Sequence, residues 1–567
     1  MARSVSHVSR RWRAVAVSCQ YLWSHALPCG SLEWTRLCLS RCFSAPFELA
    51  ISGLSLDENE EYRLAYDLVL PHLARVRGIA FQLDEERGLK NSHVPGILRD
   101  LLEKISTTVM PDAKELVIYY SDQYGTLEGI PGLHFSTAMP ALDEIFLRGI
   151  VCTPSAGPQM FPPSLRELCL TDSNFWWSVD EMIDTLRCVP MLETLEHTTN
   201  PITFTHGLAP VPSQVHPLRC VNLEKLELLT CSCGSFARNM LFFSYLSFPP
   251  AATLRIEYPH SHPLWILDAH SSSPTEVEDI QPLGESAIRE HFAGAISQGA
   301  LFPDVFLDGA SVSSRGPGAP DAYRWPVLPF GTSARHLLPP FIKLDVPEVG
   351  NEFRSHQADS QAPRPFHERL FESWVSLPFF ANTSTLHLRS GFDNFSLAFL
   401  RRFTLVREVH FASLYMLGSP FTIMVLDDQP NFAEGLFPML TTIHVGCTGD
   451  NARQTETSKD DLTRFERLAD VILLLWGSTL ERLVLHEPEL LVSRVETLAL
   501  LQRRLGVNRV ICDDSETSTP YCSCYTAPAI CDACRLRLMH AEEHEHGEED
   551  SGDGSDEEDS SGDDEED

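Results

Sequence analysis

A short phrase, apolar at its first, fourth and sixth positions, returns along the chain. It reads Leu142-Asp-Glu-Ile-Phe-Leu147, Leu165-Arg-Glu-Leu-Cys-Leu170, Leu223-Glu-Lys-Leu-Glu-Leu228, Val406-Arg-Glu-Val-His-Phe411, Leu440-Thr-Thr-Ile-His-Val445 and Leu480-Glu-Arg-Leu-Val-Leu485, with a shorter copy at Leu192-Glu-Thr-Leu195. The alternation at its end predicts a strand with one face buried. Looser copies lie at Val76–Phe81, Leu116–Tyr120, Thr253–Ile256 and Val507–Ile511. Between the phrases the apolar period lengthens to three and four. Val179, Met182, Ile183 and Leu186 predict a helix over Ser178–Val189, and Leu462, Phe465, Leu468, Val471, Ile472 and Leu475 predict another over Asp461–Trp476.

The copies at Leu142, Leu165, Leu192 and Leu223 begin 23, 27 and 31 residues apart. One strand and one helix at that spacing resembles the leucine-rich repeat, whose units cannot bury their apolar faces alone and must stack. The resemblance implies an α/β fold, an irregular leucine-rich-repeat solenoid over residues 46–515 with a parallel sheet on one side and helices on the other. It is irregular because the Asn expected after the strand phrase is mostly missing. Alternation then turns Glu144, Phe146, Glu167, Cys169, Lys225, Glu227, Glu408, His410, Thr442, His444, Arg482 and Val484 outward, where a protein substrate would lie. Most of these positions, taken singly, are also ordinary solvent-facing strand residues.

Residues 259–365 differ in texture. Pro- and Gly-rich stretches, Ser314-Arg-Gly-Pro-Gly-Ala-Pro320 and Gln361-Ala-Pro-Arg-Pro365, interrupt a helical fragment at Glu285–Ser297 and a strand-like one at Phe302–Leu307. This composition predicts a long excursion from the array.

Arg3, Arg10, Arg11 and Arg13, with several serines and no acid before Glu33, have the composition of a mitochondrial transit peptide. Against that, Val5, Val8, Trp12, Val15 and Cys19 recur at helical spacing with Arg10 and Arg13 off their face. The segment from Val5 to Trp23 resembles the second half of an F-box as found in many fungal F-box proteins, through Val8, Arg10, Arg11, Trp12, Arg13, Leu22 and Trp23. Ser9 stands where that pattern has Cys, and Gln20 where it has Pro. The resemblance implies a helical segment over residues 1–45 that docks on the Skp-type adaptor of a cullin ubiquitin ligase through Val8, Arg10, Arg11, Trp12, Leu22 and Trp23. The family's opening helix would lie before Met1, so the motif is partial. Core packing is the competing role for Trp12 and Trp23.

Charge narrows the partners. The formal net charge is −34, and residues 541–567 hold 16 Asp and Glu without Lys or Arg. The body is acidic even without this tail, which is too polar to fold alone and is expected to be disordered. With no basic stripe beyond the first fifteen residues, nucleic acid is not an expected partner. Sixteen cysteines, mostly isolated in apolar segments, suit a reducing compartment, cytoplasmic or nuclear. The uncharged apolar run Val471–Leu480 is about half of the ~20 residues needed to cross a bilayer, and no membrane span is expected.

Candidate chemistry is sparse. Cys522, Cys524, Cys531 and Cys534, in a segment over 516–540, are followed by His540 and His544, yet their spacing is not that of a zinc finger or ribbon. Unbound thiols beside the tail are the favoured reading, with no metal or other cofactor expected. Neither a Walker phosphate loop, nor Gly-x-Ser-x-Gly, nor His-Glu-x-x-His occurs. The expectation is a non-enzymatic substrate receptor of a Skp/cullin-type ubiquitin ligase, or alternatively a leucine-rich scaffold no longer coupled to the ligase.

Overall fold

The computed structural model describes residues 14–15, 17–24, 27–83, 94–120, 127–130, 135–152, 160–199, 208–233, 236–250, 252–256, 274–297, 304–308, 311–315, 341–345, 372–388, 400–411, 436–445, 459–486 and 494–513. The cysteine-containing segment and the acidic tail lie outside these residues. So do Val8, Arg10, Arg11 and Trp12.

The strands are β1 (Phe47–Ser52), β2 (Val76–Leu83), β3 (Glu115–Tyr120), β4 (Leu127–Ile130), β5 (Glu144–Arg148), β6 (Ile150–Cys152), β7 (Glu167–Thr171), β8 (Thr194–Thr198), β9 (Val221–Asn222), β10 (Leu228–Ser232), β11 (Leu246–Ser247), β12 (Thr253–Ile256), β13 (Asp304–Asp308), β14 (Ser311–Arg315), β15 (Phe341–Asp345), β16 (Thr385–Leu388), β17 (Glu408–Phe411), β18 (Thr442–Val445), β19 (Arg482–His486) and β20 (Val510–Asp513). The helices are α1 (Leu32–Arg41), α2 (Gly53–Glu58), α3 (Glu60–Val69), α4 (Val94–Thr107), α5 (Phe135–Ala138), α6 (Val179–Arg187), α7 (Phe236–Ser244), α8 (Pro274–Ser297), α9 (Lys459–Trp476) and α10 (Arg494–Leu505).

The fold is mixed α/β. Among the described residues sixteen strands form one open sheet in the order β1-β2-β3-β5-β7-β8-β10-β12-β15-β14-β13-β16-β17-β18-β19-β20. From β1 to β12 and from β16 to β20 each new strand adds parallel to the last. Parallel neighbours need a crossover between them, and the intervening segments supply it. Strands β3 and β5 alternate buried and half-buried residues, as their apolar spacing predicts. Their inward side chains join the apolar helix faces in one continuous core, with Trp176, Trp374 and Trp476 among its fully buried members.

The junctions repeat as well. The N–H of Glu144 donates to the Lys114 carbonyl, Glu167 to Asp143, Thr194 to Arg166, Leu228 to Glu193, Thr442 to Arg407 and Arg482 to Thr441. Backbone groups leaving each strand junction are thus satisfied by the preceding unit rather than by water. Away from the main sheet, β4 pairs parallel with β6, Val151 bridges Asn174, and β9 pairs parallel with β11. Successive segments are therefore in register at more than one point of their course.

Helix boundaries follow local chemistry. The Ser178 hydroxyl accepts from the Glu181 N–H while the Glu181 carboxylate accepts from the Trp177 N–H, closing the start of α6 in the manner of a capping box.

The segment expected to be an excursion supplies part of the sheet. Strands β13 and β14 form an antiparallel hairpin, β14 pairs antiparallel with β15, and β15 and β13 run parallel to β12 and β16 respectively. Helix α8 begins eleven residues earlier than the sequence pattern suggests, at Pro274. It lies against α7 so closely that a Cβ on Gly284 would stand 2.5 Å from Met240 Sδ and 3.0 Å from Met240 Cβ. Gly284→Leu is expected to lower the unfolding free energy by about 1–3 kcal/mol through overpacking, measured by urea denaturation. A change within error would refute the close approach of α8 to α7 at this position.

Among the described residues no helix is long and apolar enough to cross a membrane.

Candidate functional site

Outward positions of neighbouring strands stand in register, so each row of the phrase becomes a ladder across the sheet. In one row Glu115, Glu144 and Glu167 are successive partners, with Glu48 two strands before Glu115. Strand neighbours are about 4.8 Å apart, so these carboxylates crowd one another. Burial, then Glu144 and Glu48, raise the Glu115 carboxyl above its ordinary range. Arginines border the strip. Arg77 pairs with Glu48 at 2.5 Å, Arg148 lies over the Tyr119 ring at 4.5 Å and reaches Asp172 at 3.8 Å, and Arg166 sits 3.4 Å from Asp143 and 3.7 Å from Glu193. Phe146 and Cys169 are partners in the adjacent row, followed by Glu196.

The other end of the sheet carries rings. Phe306, His387, His410 and His444 stack along one row, with centroid separations of 4.1, 4.3 and 4.1 Å and interplanar angles of 11°, 22° and 4°. His387 is buried, His410 and His444 are half-buried. Beside them opens a concave pocket of about 410 Å³ lined by Glu408, His410, Thr442, His444, Arg482 and Val484 together with Ile511. Ligating atoms of Glu408, His410 and His444 lie within 4.8 Å of one another.

The sequence therefore placed Glu144, Phe146, Glu167, Cys169, Glu408, His410, Thr442, His444, Arg482 and Val484 on strands of this face, in two separate stretches. Glu167 is largely covered, at 9% exposure. Lys225 and Glu227 need correction. Strand β10 pairs Leu228 with Thr194 and Leu229 with Leu195, so the repeat phrase here is Leu226-Glu-Leu-Leu-Thr-Cys231, three residues later than Leu223 suggests. Lys225 falls in the turn before the strand, Glu227 at its approach, and Leu228 and Thr230 take the face positions. Four leucines at 223, 226, 228 and 229 offer two registers, and the displaced one wins because Val221–Asn222 is already engaged as β9 with β11.

At the N-terminus, Trp23 is a core residue with 6% exposure, its ring 5.7 Å from Trp34 and beneath the Arg41 guanidinium. Leu22 is half-buried against the same core. Gln20 accepts from the Ser44 N–H and hydroxyl and from the Ala45 N–H. Leu27 then bridges Leu49 on β1, exchanging backbone hydrogen bonds with Glu48 and Ala50 at the first edge of the sheet. Of the adaptor positions within the described residues, Trp23 presents almost no surface to a partner.

Sequence reading missed one constellation. The thiol of Cys233 lies 3.1 Å from His197 Nδ1, and the Asn239 side-chain oxygen accepts from the Cys233 N–H at 2.6 Å. Residue types alone would suit nucleophilic catalysis. Burial instead pushes the Cys233 thiol up to about 12 and His197 down to about 4. An activated pair needs the opposite shifts. Both residues are almost wholly enclosed, with Trp176 and Phe242 against the imidazole. This is a neutral thiol–imidazole hydrogen bond inside the core.

Comparison with protein-family models finds none that matches the chain, and comparison with curated proteins finds no match.

Proposed function

We propose that this chain is a non-catalytic recognition protein, an irregular leucine-rich-repeat solenoid that serves as substrate receptor of a Skp/cullin-type ubiquitin ligase in the cytoplasm or nucleus. The observation that carries the recognition role is the run of outward residues across the hydrogen-bonded strands of the main sheet. A chemically varied surface of this kind suits a protein partner, because most of its polar and aromatic positions are spread along the sheet. The neighbouring carboxylates of Glu115 and Glu144 suit a basic segment of that partner. Coupling to the ligase rests on the resemblance of residues 5–23 to part of an F-box. On this reading the protein acts by holding its substrate near the transfer machinery, which raises effective concentration without chemistry of its own.

A second reading is favoured by the packing of Trp23, Gln20 and Leu27, in which the N-terminal segment is simply the cap of an uncoupled binding array. The test is co-purification of the intact chain with a Skp-type adaptor. Association that drops at least tenfold in Trp12→Ala is expected for the receptor. No association with the intact chain would leave the cap reading.

A further inference from the structure

We propose that Glu408, His410 and His444 form a binding site for a divalent first-row transition metal, of the zinc, cobalt or nickel type, on the open face of the sheet.

Three observations converge on this site. The two imidazoles are register partners on β17 and β18, and Glu408 lies two residues before His410, so strand alternation puts all three on one face. Their ligating atoms fall within 4.8 Å of one another. A tetrahedral ion with bonds of about 2.0–2.2 Å needs ligand atoms roughly 3.4 Å apart, so the closure required is small. The site also has an open side. Glu408 is exposed and the rings are half-buried at the mouth of the 410 Å³ pocket, leaving room for further ligands.

The donor set selects the ion. Two nitrogens and one carboxylate suit borderline metals, whereas calcium and magnesium prefer oxygen throughout. The present stack, parallel within 4°, aims the ring lone pairs along two separate planes. Binding requires the rings to tilt out of the stack towards a common point on the pocket side. The surroundings favour the ion once bound. His387 and Phe306 continue the stack behind His410, while Val484 and Ile511 border the far side. Such walls lower the local dielectric and strengthen the attraction between the ion and Glu408. Arg482, partner of Thr442 on the next strand, adds a positive charge across the pocket and so favours an anion in the remaining position.

Histidine is needed for this role but not for stacking. A ladder that served packing alone would accept phenylalanine at both positions.

The test uses the full chain, stripped of metal and titrated with cobalt(II), then challenged with zinc. The terminal cysteines are replaced by serine at 522, 524, 531 and 534 in a parallel preparation, so that a second site cannot supply the signal. One equivalent of cobalt is expected to give a visible d–d band without thiolate charge transfer, retained in the serine variant and displaced by zinc. The double variant His410→Phe, His444→Phe is expected to weaken binding at least 100-fold with an unchanged melting temperature. Glu408→Gln, at an exposed position, is expected to weaken it about tenfold and serves if the double variant does not fold. Cobalt binding that survives both changes, or a chain that binds no cobalt, would overturn the proposal.

Discussion

Gly149→Ala is expected to destabilise the protein by about 3 kcal/mol or more, a large effect for one added methyl group. Gly149 follows β5 with φ +73°, in the left-handed region, where an L-residue costs roughly 1–2 kcal/mol. A Cβ there would also stand 2.1 Å from the Tyr120 carbonyl oxygen. That oxygen is main chain at the end of β3 and cannot swing aside as a side chain would. Gly149 is further fixed by its own hydrogen bonds, its N–H donating to Thr171 at 3.0 Å and its carbonyl accepting from Leu127 at 2.8 Å. Relief of the overlap would break the junction between three successive units. Gly96 on α4 is the control, since nothing lies within 4 Å of its added Cβ. Alanine there should be neutral or gain up to about 1 kcal/mol from helix propensity. Urea denaturation of the two variants side by side decides the matter, and equal midpoints would refute the geometric argument.

Acid is expected to destabilise the protein well above the pH at which carboxylates titrate. Burial lowers His197 to about 4, and burial with Arg219 beside it lowers His291 to about 3. The unfolded chain takes up protons at these residues near pH 6.5, while the folded chain refuses them until much lower pH. Stability from both is therefore complete above 6.5 and is lost as pH falls towards 4 for His197 and 3 for His291. At pH 5 the loss is about 2 kcal/mol for each, given 1.36 kcal/mol per unit. Glu115 acts in the opposite sense. Its raised carboxyl adds stability below the ordinary carboxylate range that fades as pH rises through its folded value, a smaller effect because it is half in water.

Packing around one of the two imidazoles offers a direct check. His291 sits between Phe243, Phe248 and Phe292, with the Arg219 guanidinium 3.1 Å from its Nδ1. His291→Phe keeps the aromatic volume and should flatten the pH dependence between 6.5 and 4 by about half. Urea midpoints measured at pH 7 and pH 5 supply the comparison. A parallel pH slope in wild type and variant would show that His291 does not carry it.

Strand positions were legible from the chain wherever the phrase was isolated. Leu142–Leu147, Leu165–Leu170, Val406–Phe411, Leu440–Val445 and Leu480–Leu485 each land on a strand whose second apolar residue points inward. Around Leu223 the pattern was degenerate, and distant pairing of β9 with β11 selected the register. Within the Pro- and Gly-rich stretch the strand-like fragment at Phe302–Leu307 lands on β13, while β14 and β15 went unread, β15 because it joins the sheet beside β12, far earlier in the chain. His410 and His444 were placed on the face, yet their meeting with each other and with His387 was not visible. Ligand spacing in a sheet is set by register, and 34 residues separate the two imidazoles in sequence.

By itself the sequence determined the alternation of strand and helix, the inward leucines, the outward polar rows and the acidic, apolar-poor composition of the tail. Those properties depend on composition and on periodicities of two and of three to four residues, which are local. The tertiary structure alone decided which outward residues become neighbours, that Trp23 is core, that Gly149 admits no side chain, and that Cys233 and His197 form a neutral buried pair. Each of these depends on contacts between residues more than ten positions apart, and stacking of units fixes such contacts through registers that no local pattern encodes.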